Sequence, residues 1–64
     1  MNENTKLEIA VEIMAAKIAK TSREGVNPDD KEMKKLFDEK TMMYQGNQEI
    51  IDKIINEYGK EFKK

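Results

Sequence analysis

The large apolar residues of this chain fall into three blocks, each spaced as one face of a helix. In the first, Leu7, Val11, Met14, Ile18 and Thr21 step by four, three, four and three positions. That is the rhythm of an amphipathic seam, with Ala10 and Ala15 beside it. Thr5-Lys6-Leu7-Glu8 reads as a capping box at its start, Thr5 meeting the amide three residues on and Glu8 reaching back. Gly25 suits the C′ position, and Lys20 and Arg23 sit where the negative end of the helix dipole favours cations. The first helix is therefore expected over residues 5–23.

Asn27-Pro28-Asp29-Asp30 marks the next boundary. Asn caps, Pro at the first helical position gives up no needed amide, and two acids meet the positive dipole end. A second helix over 28–44 follows, with Met33, Phe37, Lys40 and Tyr44 along one line and Leu36 and Met43 beside it. Asp30–Lys34, Lys34–Asp38 and Lys35–Glu39 are expected as i,i+4 pairs on its outer face. Lys40 interrupts the seam, and Thr41 is a poor helix former. Gly46-Asn47 reads as a second stop and restart. The third helix, over 48–62, carries Ile50, Ile51, Ile54, Ile55, Tyr58 and Phe62, with Glu49, Lys53 and Glu57 at i,i+4 on its polar side. Two adjacent isoleucine pairs match helical spacing, not strand alternation. Gly59 disfavours a helix interior by about 1 kcal/mol, so the last turn is expected to fray or end at Tyr58.

Three helices with short links predict an all-α fold, a small three-helix bundle forming one domain over residues 1–64, with loose ends at 1–4 and 63–64. The competing arrangement is a helical hairpin that dimerises, its second and third helices nearly continuous. No internal repeat or low-complexity segment complicates either.

Helix 1 has more apolar surface than one seam requires. Ile9, Ile13 and Ala16 lie roughly opposite the Leu7–Val11–Met14–Ile18 line. Either helix 1 is central and both faces are used within the chain, or this second stripe meets a second copy or another protein. Ile50 and Ile54 form a comparable edge on helix 3. Met42 falls opposite the helix 2 seam and is expected to be exposed. The candidate interface is thus Ile9, Ile13, Ala16, Ile50, Ile54 and Met42.

At 64 residues the chain is one thin domain, burying about 60% of the surface its unfolded form exposes. With no Cys and no His, disulfides are excluded and a structural zinc site has no ligands of the usual kind. Stability must come from helix packing or from association. Hydrophobic residues at 38% and charged residues at 39% suit a globule with a solvated shell. No apolar run approaches a membrane span, and no signal-like core opens the chain, which gives a cytoplasmic expectation and no membrane partner. Abundant Lys, Ile, Asn and Glu resemble the usage of AT-rich bacterial or phage genomes.

The missing side chains also limit chemistry. General acid–base work at neutral pH most often uses His, and there is none. Glu8 and Glu12 read as a solvated acidic edge, and Asp38 and Glu39 point about 100° apart on a helix. Asn27–Asp30 fails as a calcium loop, since a ligand position would fall on Lys31 or Met33. Ser22 and Thr21 have no base near them, and no glycine-rich phosphate loop is present. The expectation is a non-enzymatic module with no catalytic residue, no metal and no cofactor.

Two function classes remain. One is a protein–protein interaction module, an adaptor, inhibitor or regulator acting through apolar helix faces on another protein or on a second copy of itself. The other is a helix-turn-helix-like nucleic-acid-binding regulator reading through helix 3. Gln48-Glu49 and Asp52 at the start of that helix would set acids against phosphates. The net charge of −1 also supplies none of the electrostatic attraction that dominates such binding. A membrane-surface role for helix 1 is opposed by Glu8 and Glu12.

Overall fold

The computed structural model describes residues 3–62, which form three helical elements in sequence with no strand among them. Helix α1 spans Glu3–Arg23, α2 spans Lys31–Tyr44 and α3 spans Gln48–Lys53. Beyond α3 the chain continues helically as a π turn over Ile54–Tyr58 and a 3-10 turn over Gly59–Phe62. Together α3 and these two turns make a third arm. The all-α class and the three-helix count agree with the sequence pattern. Residues 1, 2, 63 and 64 lie outside the described residues.

Two glycines stop the first two helices by the same device. Gly25 takes φ +91°, a backbone region that L side chains avoid and glycine enters freely. Its N–H donates to Ser22 O at 3.0 Å and the Val26 N–H to Thr21 O at 3.3 Å, a Schellman motif whose following residue, Val26, packs against the core. Gly46, at φ +85°, repeats it, with its own N–H on Met43 O and the Asn47 N–H on Met42 O. Asn47 then starts α3, its side-chain oxygen accepting from the Ile50 N–H at 3.2 Å. Three residues thus end one helix and begin the next, as the Gly-Asn pair implied.

The two helix starts differ from expectation. Helix α1 is already formed at Glu3, so Thr5 lies inside its first turn and does not cap it, and residues 3 and 4 belong to the helix. Asn27-Pro28-Asp29-Asp30 is a turn, not the first turn of α2: the Asp30 N–H donates to Asn27 O at 3.0 Å. The φ that Pro imposes suits position i+1 of a β-turn as well as a helical N1. The turn closes here, and Asp30, extended at φ −70° and ψ 145°, precedes a helix that starts at Lys31.

Seven hydrophobic side chains make the core: Ala10 and Met14 from α1, Met33, Leu36 and Met43 from α2, and Ile51 and Ile54 from the third arm. Thr21 is also buried, and its hydroxyl satisfies itself on Lys17 O at 2.8 Å. Helix α1 touches both α2 and the third arm, and α2 also touches the third arm, so each of the three packs against the other two. The seven-residue link over 24–30 reaches about 24 Å at most, less than the roughly 31 Å length of α1. Extensive α1–α2 packing therefore makes the two an antiparallel hairpin. Three aligned helices would be about 14 Å across in both short directions. The Cα extents are 35 × 28 × 14 Å, so the helices fan out into a slab.

The buried arc of α2 is rotated from the one the sequence suggested. It runs through Met33, Leu36, Glu39 and Met43, leaving Phe37 and Tyr44 exposed at 43% and 58%. The reason is that α2 must face two neighbours, and the arc shared by α1 and the third arm centres on Leu36 and Met43. None of the expected pairs Asp30–Lys34, Lys34–Asp38 and Lys35–Glu39 is among the ion pairs of the described residues. Glu39 has turned inward to Lys53 instead.

Candidate functional site

The six residues singled out as an interface do not converge on one surface. Ile54 has no exposed area and belongs to the chain's own core. Ile13 and Ile50 are half-buried and packed against that core. A Cβ placed on Gly59 would come within 3.2 Å of the Ile13 terminal methyl. The absent side chain at Gly59 thus gives the Ile13 methyl a few tenths of an ångström more room beside the third arm. Ile9 and Ala16 are half-buried on the same flank of α1. Met42 is exposed at 40%, as its position implied.

Open apolar surface lies elsewhere, on the side of the α1–α2 hairpin away from the third arm. A groove of about 170 Å³ runs between the two helices. Val11, Ala15 and Ile18 form one wall, Phe37, Lys40 and Tyr44 the other, and the core residues Met14 and Met43 its floor. The α1 wall follows from the first apolar seam: Val11 and Ile18 sit at its margin, only partly covered by α2. The α2 wall follows from the rotated arc, which leaves Phe37 and Tyr44, seven residues or about two turns apart, on one line. Lys40 lies between them with its ammonium 5.9 Å from the Phe37 ring centroid, within reach of a cation–π attraction.

The opposite side of the hairpin is closed by a polar network. The Glu39 carboxylate is 5% exposed; it accepts from the Tyr58 hydroxyl at 2.5 Å and from the Lys53 ammonium. Burial, reinforced by the bond to Glu39, pushes the Tyr58 phenol above its ordinary range. The hydrogen bond to Glu39 raises Lys53. Lys17 and Lys53 lie 5.5 and 5.7 Å from the Tyr58 ring centroid. Further along, Glu61 accepts from both Lys17 and Lys20 at 2.8–3.0 Å, which lowers the Glu61 carboxyl and raises Lys20. Lys6 and Asp52 pair at 3.3 Å. No buried side-chain polar atom among the described residues lacks a partner. The π turn contributes directly: it bonds Gly59 N–H to Ile54 O, five residues back, and so resets the register that sets Tyr58 against Glu39 and Gly59 against Ile13.

Sequence reasoning missed the groove because it placed Phe37, Lys40 and Tyr44 in the seam. The interrupting lysine was the available signal, since a line holding Lys between two aromatics suits a rim better than a core. No three acidic side chains among the described residues converge as a metal site, and no described helix is long and apolar enough to cross a membrane. Comparison with protein-family models, with curated proteins and with solved structures gives no match.

Proposed function

We propose that the protein is a small non-enzymatic interaction module, and that the groove between α1 and α2 is its working surface. One observation carries this: Phe37 and Tyr44 stand 43% and 58% exposed along an apolar trough that no segment of the described chain covers. Aromatic side chains gain the most from burial, and contiguous exposed apolar surface is characteristic of contact sites. The trough lies between two helices, the shape that receives an apolar helix face. The groove walls offer one titratable side chain besides the Tyr44 phenol, Lys40, a combination suited to recognition more than to proton transfer.

A photo-crosslinking amino acid introduced at position 44, in cells that naturally make the protein, tests this reading. A covalent adduct is expected from position 44 and none from position 29, an exposed turn residue far from the groove. Equal adducts from both positions, or none from position 44, would remove the groove from consideration.

A further inference from the structure

We propose that the third arm is a releasable strap: its contacts with α1 and α2 hold it in π winding, and a one-residue slip to α winding frees it. This is independent of what the groove receives.

The local sequence does not ask for a π turn. Ile54, Ile55, Asn56, Glu57 and Tyr58 include neither proline nor glycine, residues that commonly break or kink an α-helix. Yet the winding changes twice within the arm, from α over Gln48–Lys53 to π over Ile54–Tyr58 and then 3-10 over Gly59–Phe62. Irregular turns inside a helix often mark hinges or strained sequences. The cause lies in what the arm touches.

Three contacts depend on the register. The Gly59 N–H bonds to Ile54 O, five residues back, where an α turn would bond four back. The turn therefore holds one surplus residue. With it in place, Tyr58 reaches Glu39, Gly59 lies beside Ile13, and Glu61 meets Lys17 and Lys20.

In α winding every residue beyond the turn would move by one place. Glu57 would take the place of Tyr58 and bring a second carboxylate towards Glu39, which is buried. Tyr58 would take the place of Gly59, where even a Cβ comes within 3.2 Å of the Ile13 methyl. Lys60 would take the place of Glu61, beside the ammonium groups of Lys17 and Lys20. Two of these exchanges set like charges together and the third overpacks Ile13, so an α-wound arm cannot stay seated.

The two windings are thus discrete states coupled to seating. The seated arm gives up regular helical bonding and gains the contacts with α1 and α2; the slipped arm regains the bonding and loses those contacts. Slippage takes Tyr58 from Glu39 and Glu61 from Lys17 and Lys20, and uncovers Ile13. Asn56 and Glu57 are both exposed, so the surplus residue falls on the solvent side of the turn.

Deleting Asn56 tests the strap, because the shortened arm can wind as α with Tyr58, Gly59 and Glu61 still seated. The control is deletion of Asp38, an exposed residue inside the regular helix α2, which turns one half of that helix by about 100° against the other. Urea unfolding and amide hydrogen exchange by NMR are measured on the full chain. The Asn56 deletion should keep the wild-type urea midpoint or exceed it and leave the Ile13 methyl resonance in place. Its amides from Tyr58 to Phe62 should exchange about ten-fold more slowly than in wild type, since the slip that opens them is gone. The Asp38 deletion should unfold at much lower urea. An Asn56 deletion as damaging as the control would show that the turn holds no surplus residue, and would overturn the proposal. Native stability with arm amides exchanging at the wild-type rate would overturn it too, since release would not run through the slip.

Discussion

The two faces of the α1–α2 hairpin are built from similar residues and finished in opposite ways. On the face under the third arm, Glu39, Lys53 and Tyr58 satisfy one another, Glu61 holds Lys17 and Lys20, and Gly59 gives the Ile13 methyl room. On the other face, Phe37 and Tyr44 stand open and Lys40 meets no carboxylate among the described residues. A lysine beside an aromatic ring occurs on both sides, at 5.5 to 5.9 Å. The difference is the third element that closes the first face. The closed face therefore carries stability, and the open one is free to carry recognition.

The strongest way to break this contrast is a cavity. Ile54 is fully buried against α1, so Ile54→Ala should lower stability by about 3 kcal/mol, through lost transfer energy and the void left behind. A core this small rarely supplies more than about 3–5 kcal/mol, so the variant should be largely unfolded at room temperature. Phe37→Ser, on the open face, should change the urea midpoint little. Equal losses from the two substitutions would show that the faces are not distinct.

Next comes the buried carboxylate. Glu39→Ala leaves the Tyr58 hydroxyl and the Lys53 ammonium without their acceptor, and should destabilise by about 2–3 kcal/mol. Lys53→Met, which keeps Tyr58 as the donor to Glu39, should destabilise by about 1–2 kcal/mol. Glu12→Ala, exposed on the outside of α1, belongs with ordinary surface changes of about 0.5 kcal/mol or less. Chemical denaturation of the three variants at one dilute concentration ranks them.

These same residues show what the sequence could and could not tell. Both glycine stops and the Asn47 cap were legible because each depends on a few adjacent residues and a fixed backbone geometry. The number and type of helices were legible from apolar spacing. The position of Glu39 was not: a carboxylate one turn from Lys35 looks like half of a surface pair until the third arm brings Lys53 and Tyr58, 14 and 19 residues away, against it. The groove was hidden for a related reason. The direction in which Phe37 and Tyr44 face depends on the rotation of α2, and that is decided by two neighbours at once. A π turn that shifts register by one residue leaves no periodic trace, so the match of Gly59 to Ile13 could not be anticipated, and Gly59 read simply as a weak point.

A smaller effect concerns pH. Tyr58 has its ionisation raised in the fold, so below the ordinary tyrosine range near 10 its hydroxyl is protonated in folded and unfolded chains alike, and its full contribution is present. As pH rises past that range the unfolded chain loses the proton first, and stability falls. Lys53 and Lys20, also raised, act in the same direction. Tyr58→Phe should destabilise by about 1 kcal/mol at neutral pH and reduce the alkaline decline. Glu61 is lowered, so its contribution should be present above its ordinary value of 4.5 and lost as pH falls below it. Urea midpoints measured from acid to alkaline pH would show both limbs, and a Tyr58→Phe profile parallel to wild type would place the alkaline limb elsewhere.

The smallest expected change is the most informative about the open face. Lys40→Met keeps the apolar stem that packs beside Phe37 and removes an ammonium that has no carboxylate partner among the described residues. In dilute solution this should move stability by less than about 0.5 kcal/mol. What is lost is an exposed cation–π contact with Phe37, offset by the easier desolvation of the uncharged side chain. The comparison with Lys53→Met is direct: the same substitution, in a half-buried lysine beside an aromatic ring, differs only in whether a buried carboxylate waits opposite. Were Lys40→Met as damaging as Lys53→Met, Lys40 would be a structural residue and the groove part of the fold's own support. A near-silent effect on stability, joined to a weaker crosslinked adduct from position 44, would locate the use of Lys40 outside its own chain.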